Sequence, residues 1–160
     1  MLVTNLTILV VDAHAPNRMA ISQALTSLPA IKLVATAQNY SVAEKQTAQL
    51  SPDIIWLDLN IGQPVGIAEI HRLKKLSAAS RIMAITAKED EQEAFAAIIA
   101  GAQGYCSQAS IDGVQLISSI QILCRGEFAL RPELLTRMMQ RLRAAALSGI
   151  EKAPGPSDVQ

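Results

Sequence analysis

The sequence predicts an α/β fold: an open, doubly wound parallel sheet of five strands, with an extra helix at the C-terminal end. Three observations predict it. Five short apolar runs recur along the chain with helix-like patterns between them. The first, third and fourth runs lack period-two alternation, which is how strands buried on both faces of a parallel sheet read. Strand–helix alternation repeated five times, with right-handed crossovers, then lays helices on both faces and gathers the strand carboxyl ends along one edge.

The runs are Thr7–Val11, Lys32–Thr36, Ile54–Leu57, Arg81–Thr86 and Gly104–Cys106. Pro16 can open the first helix, which would show Met19, Ile21, Ala24, Leu25 and Leu28 to the core. SVAE at 41–44 has the spacing of a capping box, with Ser41 as N-cap and Glu44 reaching back, and Ser51-Pro52 stops that helix. Ile67 to Leu76 gives a third helix. In KEDEQEAFAAIIAG the acids crowd the first turn, where the helix dipole favours them, and Gly101 supplies the stop. Ile111 to Arg125 gives a fifth helix, broken near Gly126. RPELLTRMMQRLRAAAL reads as a sixth, with Leu134, Leu135, Met138, Met139 and Leu142 on one stripe and Arg137, Arg141 and Arg143 adding charge. It can pack on the domain, run between protomers or lead into a further domain. The polar, Pro- and Gly-bearing EKAPGPSDVQ reads as a tail. The expected division is residues 1–126 as the domain, 127–148 as a linker helix and 149–160 as a flexible tail.

Composition narrows the function. The chain has 160 residues, half of them hydrophobic, enough for one complete core plus an extra segment. Fourteen basic and fourteen acidic residues cancel, so no overall field draws the chain to nucleic acid or a membrane surface. Aromatics make up only 3%, which argues against a base-stacking platform. No apolar stretch approaches the roughly 18 residues that span a bilayer, and MLVTNLTILVVDAH has no positive leader, so a cytoplasmic protein is expected. Cys106 and Cys124 lack metal-ligand spacing and read as small core residues in a reducing compartment.

Asp12, Asp58 and Thr86 each end or follow one of the three most apolar runs, so all three should meet on the carboxyl edge. A carboxylate after four apolar residues is costly inside a sheet and tolerable at its open edge. Two carboxylates and a hydroxyl suit a hard cation such as magnesium, which takes oxygen ligands and phosphate company. No GxGxxG, Walker or GxSxG pattern is present, which weighs against a nucleotide binder or an α/β enzyme.

The motifs ILVVDAH, PDIIWLDLNI, IMAIT and GAQGYCSQ, in this order and spacing, resemble the receiver domain of bacterial two-component response regulators over residues 6 to about 126. The resemblance implies strand order 2-1-3-4-5 and a phosphoryl group passed from a histidine kinase to an aspartate with magnesium bound. On matching positions it implies Asp58 as phosphoacceptor, with Asp12, Asp58 and the backbone carbonyl of Asn60 as metal ligands. Thr86 is the hydroxyl that follows the phosphoryl group, and Tyr105 the aromatic switch residue.

Two departures weaken that chemistry. Ala13 stands where the family has a second acid, and Gln108 where it has a lysine. The first removes a metal ligand, so magnesium binding should be weak. The second replaces a cation by a neutral donor whose hydrogen bond is roughly half as strong. LNIG also lacks the Met-Pro common after the phosphoacceptor. The expectation is an atypical receiver, not an enzyme, that works as a dimerisation and interaction module; a conventional phosphoacceptor is the alternative. With the site weakened, Tyr105 should hold one position. His14 reads as a loop residue without catalytic duty, His71 as surface and Trp56 as core.

CRGEFALRPELLTRMMQRL is similar to the end of receivers whose regulators carry a helix-turn-helix DNA-binding second half. The chain stops about where such a domain would begin, so contact with DNA is expected only through an output domain outside it. A fragment of a longer regulator and a receiver working alone both remain open. Family members form homodimers through the fourth helix, fifth strand and fifth helix, or through the first and fifth helices.

Overall fold

The computed structural model describes residues 4–62 and 66–152, and the chain divides into two compact units, Met1–Ala129 and Leu130–Gln160. The first unit holds five strands and five helices in strict alternation: β1 Leu6–Val11, α1 Ala15–Thr26, β2 Ile31–Ala37, α2 Tyr40–Leu50, β3 Ile54–Asp58, α3 Gly66–Leu76, β4 Arg81–Thr86, α4 Glu91–Ala100, β5 Gly104–Ser107 and α5 Gly113–Cys124. All strand pairs are parallel and the order is β2-β1-β3-β4-β5. The doubly wound sheet expected from the sequence is therefore present, in the order implied by the resemblance.

Alternation of side chains along each strand divides the core. Ile8, Val10, Ile54, Trp56, Met83 and Ile85 face α1 and α5, where Leu25, Leu116, Ile120 and Leu123 close over them. Leu9, Val11, Ile55, Leu57, Ile82 and Ala84 are equally buried and point the other way, onto the side occupied by α2, α3 and α4. Trp56 is a core residue at 1% exposure, with no hydrogen-bond partner for its indole nitrogen. The thiols of Cys106 and Cys124 are free and pack at the margin of the first cluster; burial raises both pKa values, that of Cys106 to about 12.

Three sequence expectations require correction; one is Ala24, which is exposed on α1 rather than facing the core. The N-cap of α2 is Asn39, whose extended backbone (φ −152°) lets its side chain accept the Val42 N–H at 2.9 Å; Ser41 is already inside the helix. Asn caps as well as Ser does, and the cap falls where the chain leaves β2. Met19 is 58% exposed: it lies two residues from Ile21, about 200° around the helix, whereas Ile21 and Leu25 share the inward stripe. His71 is exposed, as expected.

At the end of α4, Gly101 adopts φ +124°, and a Cβ there would meet the Lys74 side chain at 2.8 Å. After α5 the chain returns to the sheet: Ala129 donates its N–H to the Gln103 carbonyl (2.9 Å) and accepts the Tyr105 N–H (3.1 Å), a one-residue parallel bridge beside β5. In the second unit, α6 runs from Pro132 to Lys152, five residues beyond the stretch read as helical. Leu135, Met139, Leu142 and Leu147 are exposed along it. The tail from 153 onwards lies outside the described residues.

Candidate functional site

Parallel strands deliver their last residues to one edge, and the sequence decides what stands there. Asp12 directly follows β1, Asp58 and Thr86 are the last residues of β3 and β4, and Gln108 follows β5 in a short 3-10 turn, Gln108–Ser110. Asp12 and Thr86 are buried, at 4% and 2% exposure, while Asp58 and Gln108 are half-buried.

Each carboxylate is oriented by the backbone that follows it. Asp12 Oδ1 accepts the His14 N–H at 2.8 Å, and Asp58 Oδ1 accepts the Asn60 N–H at 2.9 Å. One oxygen of each is thus committed to a local turn. Burial raises the pKa of Asp58 above its ordinary 3.8; the Asn60 N–H opposes the rise and the negative charge of Asp12 adds to it. The effect of Asp12 on Asp58 is the electrostatic sign that the two carboxylates share one site.

The loops around the pair are pinned by groups the sequence did not single out. The Asn60 side-chain oxygen accepts the Ala87 N–H at 2.8 Å, tying the loop after β3 to the loop after β4. Tyr40, from the first turn of α2, donates its hydroxyl to the Asp58 carbonyl at 2.9 Å. Arg18, from α1, donates to the Asp12 carbonyl at 2.7 Å and brings a guanidinium to this edge. His14 is the N-cap of α1, its Nδ1 accepting the Asn17 N–H at 3.4 Å. Gly66 passes so close to the chain just after β3 that a Cβ would lie 2.6 Å from Leu59 Cα. Pro16 in the first turn is a readable helix-start signal, but His is not among the usual N-caps, and the reach of Tyr40 and Arg18 across elements has no local signal.

Thr86 donates its hydroxyl to the Lys88 carbonyl at 3.3 Å. Tyr105 points inward at 1% exposure, and its hydroxyl donates to Glu93 Oε1 at 2.8 Å and accepts the Asp90 N–H at 3.0 Å. Burial, and the neighbouring Glu93, push the phenol far above its ordinary 10.0.

Magnesium tests the arrangement. A tight all-protein site needs enough anionic oxygen around the ion, yet the described residues contain no group of three or more His, Cys, Asp or Glu that could hold a metal. Asp12, Asp58 and the Asn60 carbonyl are the donors on offer, each carboxylate has one oxygen engaged, and Ala13 contributes a methyl group to solvent. The set does not fit a tightly held ion.

Comparison with known proteins decides the family. The response regulator receiver domain profile matches residues 8–121. This chain belongs to the response regulator receiver family. Among curated relatives it is 28% identical over 138 residues to the nitrate/nitrite response regulator protein NarL of Escherichia coli K12, covering 86% of this chain and 63% of that one. It is 25% identical over 139 residues to the response regulator protein VraR of Staphylococcus aureus, covering 87% of this receiver and 66% of VraR. The chain thus spans less than two thirds of the length of these relatives. A two-component response regulator of the LuxR family from Aurantimonas sp. SI85-9A1 has a similar structure, with TM-score 0.77 and 26% identity over 86% of this receiver and 98% of that chain. Among the described residues no helix is long and apolar enough to cross a membrane.

Proposed function

We propose that this receiver is an atypical one: a dimerisation and interaction module of a transcription regulator in which aspartate phosphorylation is impaired or lost. The observation that carries the reading is the composition of the edge. Asp12 and Asp58 oppose each other without a third acid, and a neutral amide, Gln108, follows β5 where the family carries a lysine. In phosphoryl transfer, catalysis rests on positioning and on neutralising charge on the phosphoryl oxygens. An edge short of one anion for the metal and one cation for the phosphoryl group lacks both supports. In this reading the protein is cytoplasmic, is not an enzyme, binds magnesium weakly, and touches DNA only through an output domain outside this sequence.

Homodimerisation has a specific observation behind it. Between α1 and α5 lies a mostly apolar cleft of about 490 Å³ lined by Ala24, Leu28, Val114, Leu116 and Ile117, and Val114 is 73% exposed. This supports the α1–α5 face as the self-association surface.

The alternative is a conventional phosphoacceptor served by a histidine kinase, favoured by a half-buried Asp58 with one uncommitted oxygen and Thr86 at the same edge. Acetyl phosphate with magnesium separates the two, read by intact-protein mass. We expect little or no phosphate on the chain. Ready incorporation that Asp58→Asn abolishes would overturn the proposal.

A further inference from the structure

On the α2–α3 side of the sheet, a cleft of about 340 Å³ is lined by Asn39, Tyr40, Glu44, Ile61, Glu69 and Arg72 among others. Glu69 lies beneath it. Its side chain has no exposed surface, and neither carboxyl oxygen has a hydrogen-bond partner. Arg72, one turn along α3, brings a nitrogen to 3.8 Å from Oε2, too far for a hydrogen bond, and is itself 54% exposed. From α2, Glu44 lines the same cleft and sets a second carboxylate against Glu69, and Tyr40 adds a phenol already committed to the Asp58 carbonyl. Ile61 and Gly62, from the segment after β3, carry no ionisable group.

A buried carboxylate without donors, faced by a second carboxylate, is unfavourable when both are ionised. One proton removes the conflict: a protonated Glu69 becomes a donor and Glu44 its acceptor. A hydrated metal ion or an organic cation cannot replace that proton without parting the helices, because Glu69 has no accessible surface.

We propose that Glu44 and Glu69 form a proton-sharing carboxyl pair, a latch that holds α2 against α3 when it carries one proton and loosens that contact when it carries none. Burial, reinforced by Glu44 and opposed by Arg72, raises the Glu69 pKa from 4.5 to about 7, so the latch titrates near neutrality. Between those two values the folded chain holds a proton that the unfolded chain has released. The pair's contribution to stability is therefore full below about 4.5, falls as pH rises, and is gone above about 7. Tyr40 stands between the pair and the Asp58 carbonyl, so the latch borders the strand end that carries the acidic edge.

The test is urea unfolding of the full chain at pH 5.5 and 8.5, for the wild type, Glu69→Gln and Glu44→Gln. Going from the lower to the higher pH should raise the wild-type unfolding constant by up to about thirtyfold from this pair alone. Glu69→Gln should flatten the dependence, since an amide donates to Glu44 at every pH, and Glu44→Gln should reduce it in part, since it removes the facing charge while Glu69 stays buried. Other titrating groups are common to all three proteins, so the difference in slope isolates the pair. Equal slopes in wild type and variants would overturn the proposal. Carboxyl carbon NMR of the wild type needs no variant: a Glu69 midpoint near 7 supports the latch, and one near 4.5 ends it.

Discussion

Tyr105→Phe removes one oxygen from a ring that is otherwise wholly packed, and the structure sets the size of the effect. The hydroxyl donates to Glu93 Oε1 at 2.8 Å and accepts the Asp90 N–H at 3.0 Å. A hydrogen bond to a charged group contributes about 1.5–3 kcal/mol and a neutral one about 0.5–1.5 kcal/mol. Asp90 is exposed and Glu93 half-buried, so water recovers part of both losses and the smaller end of the range applies. The expected cost is about 1.5 kcal/mol, or a fall in Tm of about 3–6 °C for a chain of this size. The phenol titrates well above the working range, so the cost should be equal at pH 6 and pH 9. Paired urea unfolding curves at the two values measure it. A loss below about 0.5 kcal/mol would refute the reasoning: the hydroxyl would not be what holds the ring inward, and Tyr105 would be free to swing as a switch residue.

Two further outcomes follow from the same geometry. Restoring the missing charges with Ala13→Asp and Gln108→Lys together should raise magnesium-dependent phosphate incorporation from acetyl phosphate above that of the parent chain; the double variant labelling no better than the parent would count against the charge argument. Gly66→Ala forces a methyl group to within 2.6 Å of Leu59 Cα, an overpacking worth about 1–3 kcal/mol; an unchanged thermal midpoint would show that α3 can yield at no cost.

Much of the fold was legible because its signals are local. The strands are uninterrupted aliphatic runs, and every one was located to within a residue at each end. The acidic edge was legible for the same reason: in a parallel sheet, residues at the ends of strands need no long-range information to be gathered. What the sequence hid were interactions chosen by tertiary placement. Asn39 and Ser41 are equally good caps, and the turn out of β2 selects the first. Tyr40 reaches Asp58 and Arg18 reaches the Asp12 carbonyl because helix and strand happen to lie side by side, which no spacing rule encodes. Glu69 carries no local signal, since an acid in the first turn of a helix is where the dipole favours one. Its burial against a second acid becomes visible only once α2 and α3 are packed.

The bridge at Ala129 has a consequence for how the molecule meets its own kind. An outer strand with bare N–H and C=O groups is a template for a neighbouring chain, and proteins that leave one uncovered invite sheet-to-sheet growth. Here the backbone after α5 doubles back and makes two hydrogen bonds at the start of β5, to the Gln103 carbonyl and from the Tyr105 N–H, so the beginning of that edge is covered by the chain itself. The opposite border, β2, carries Lys32 and leaves Leu33 44% exposed. The guard is a short one, and it belongs to the receiver: a polypeptide cut after Gly126 would keep all five strands yet expose a sticky margin. The few residues from Glu127 to Ala129 are thus a selvedge, the finished border that keeps a woven edge from catching on the next piece of cloth.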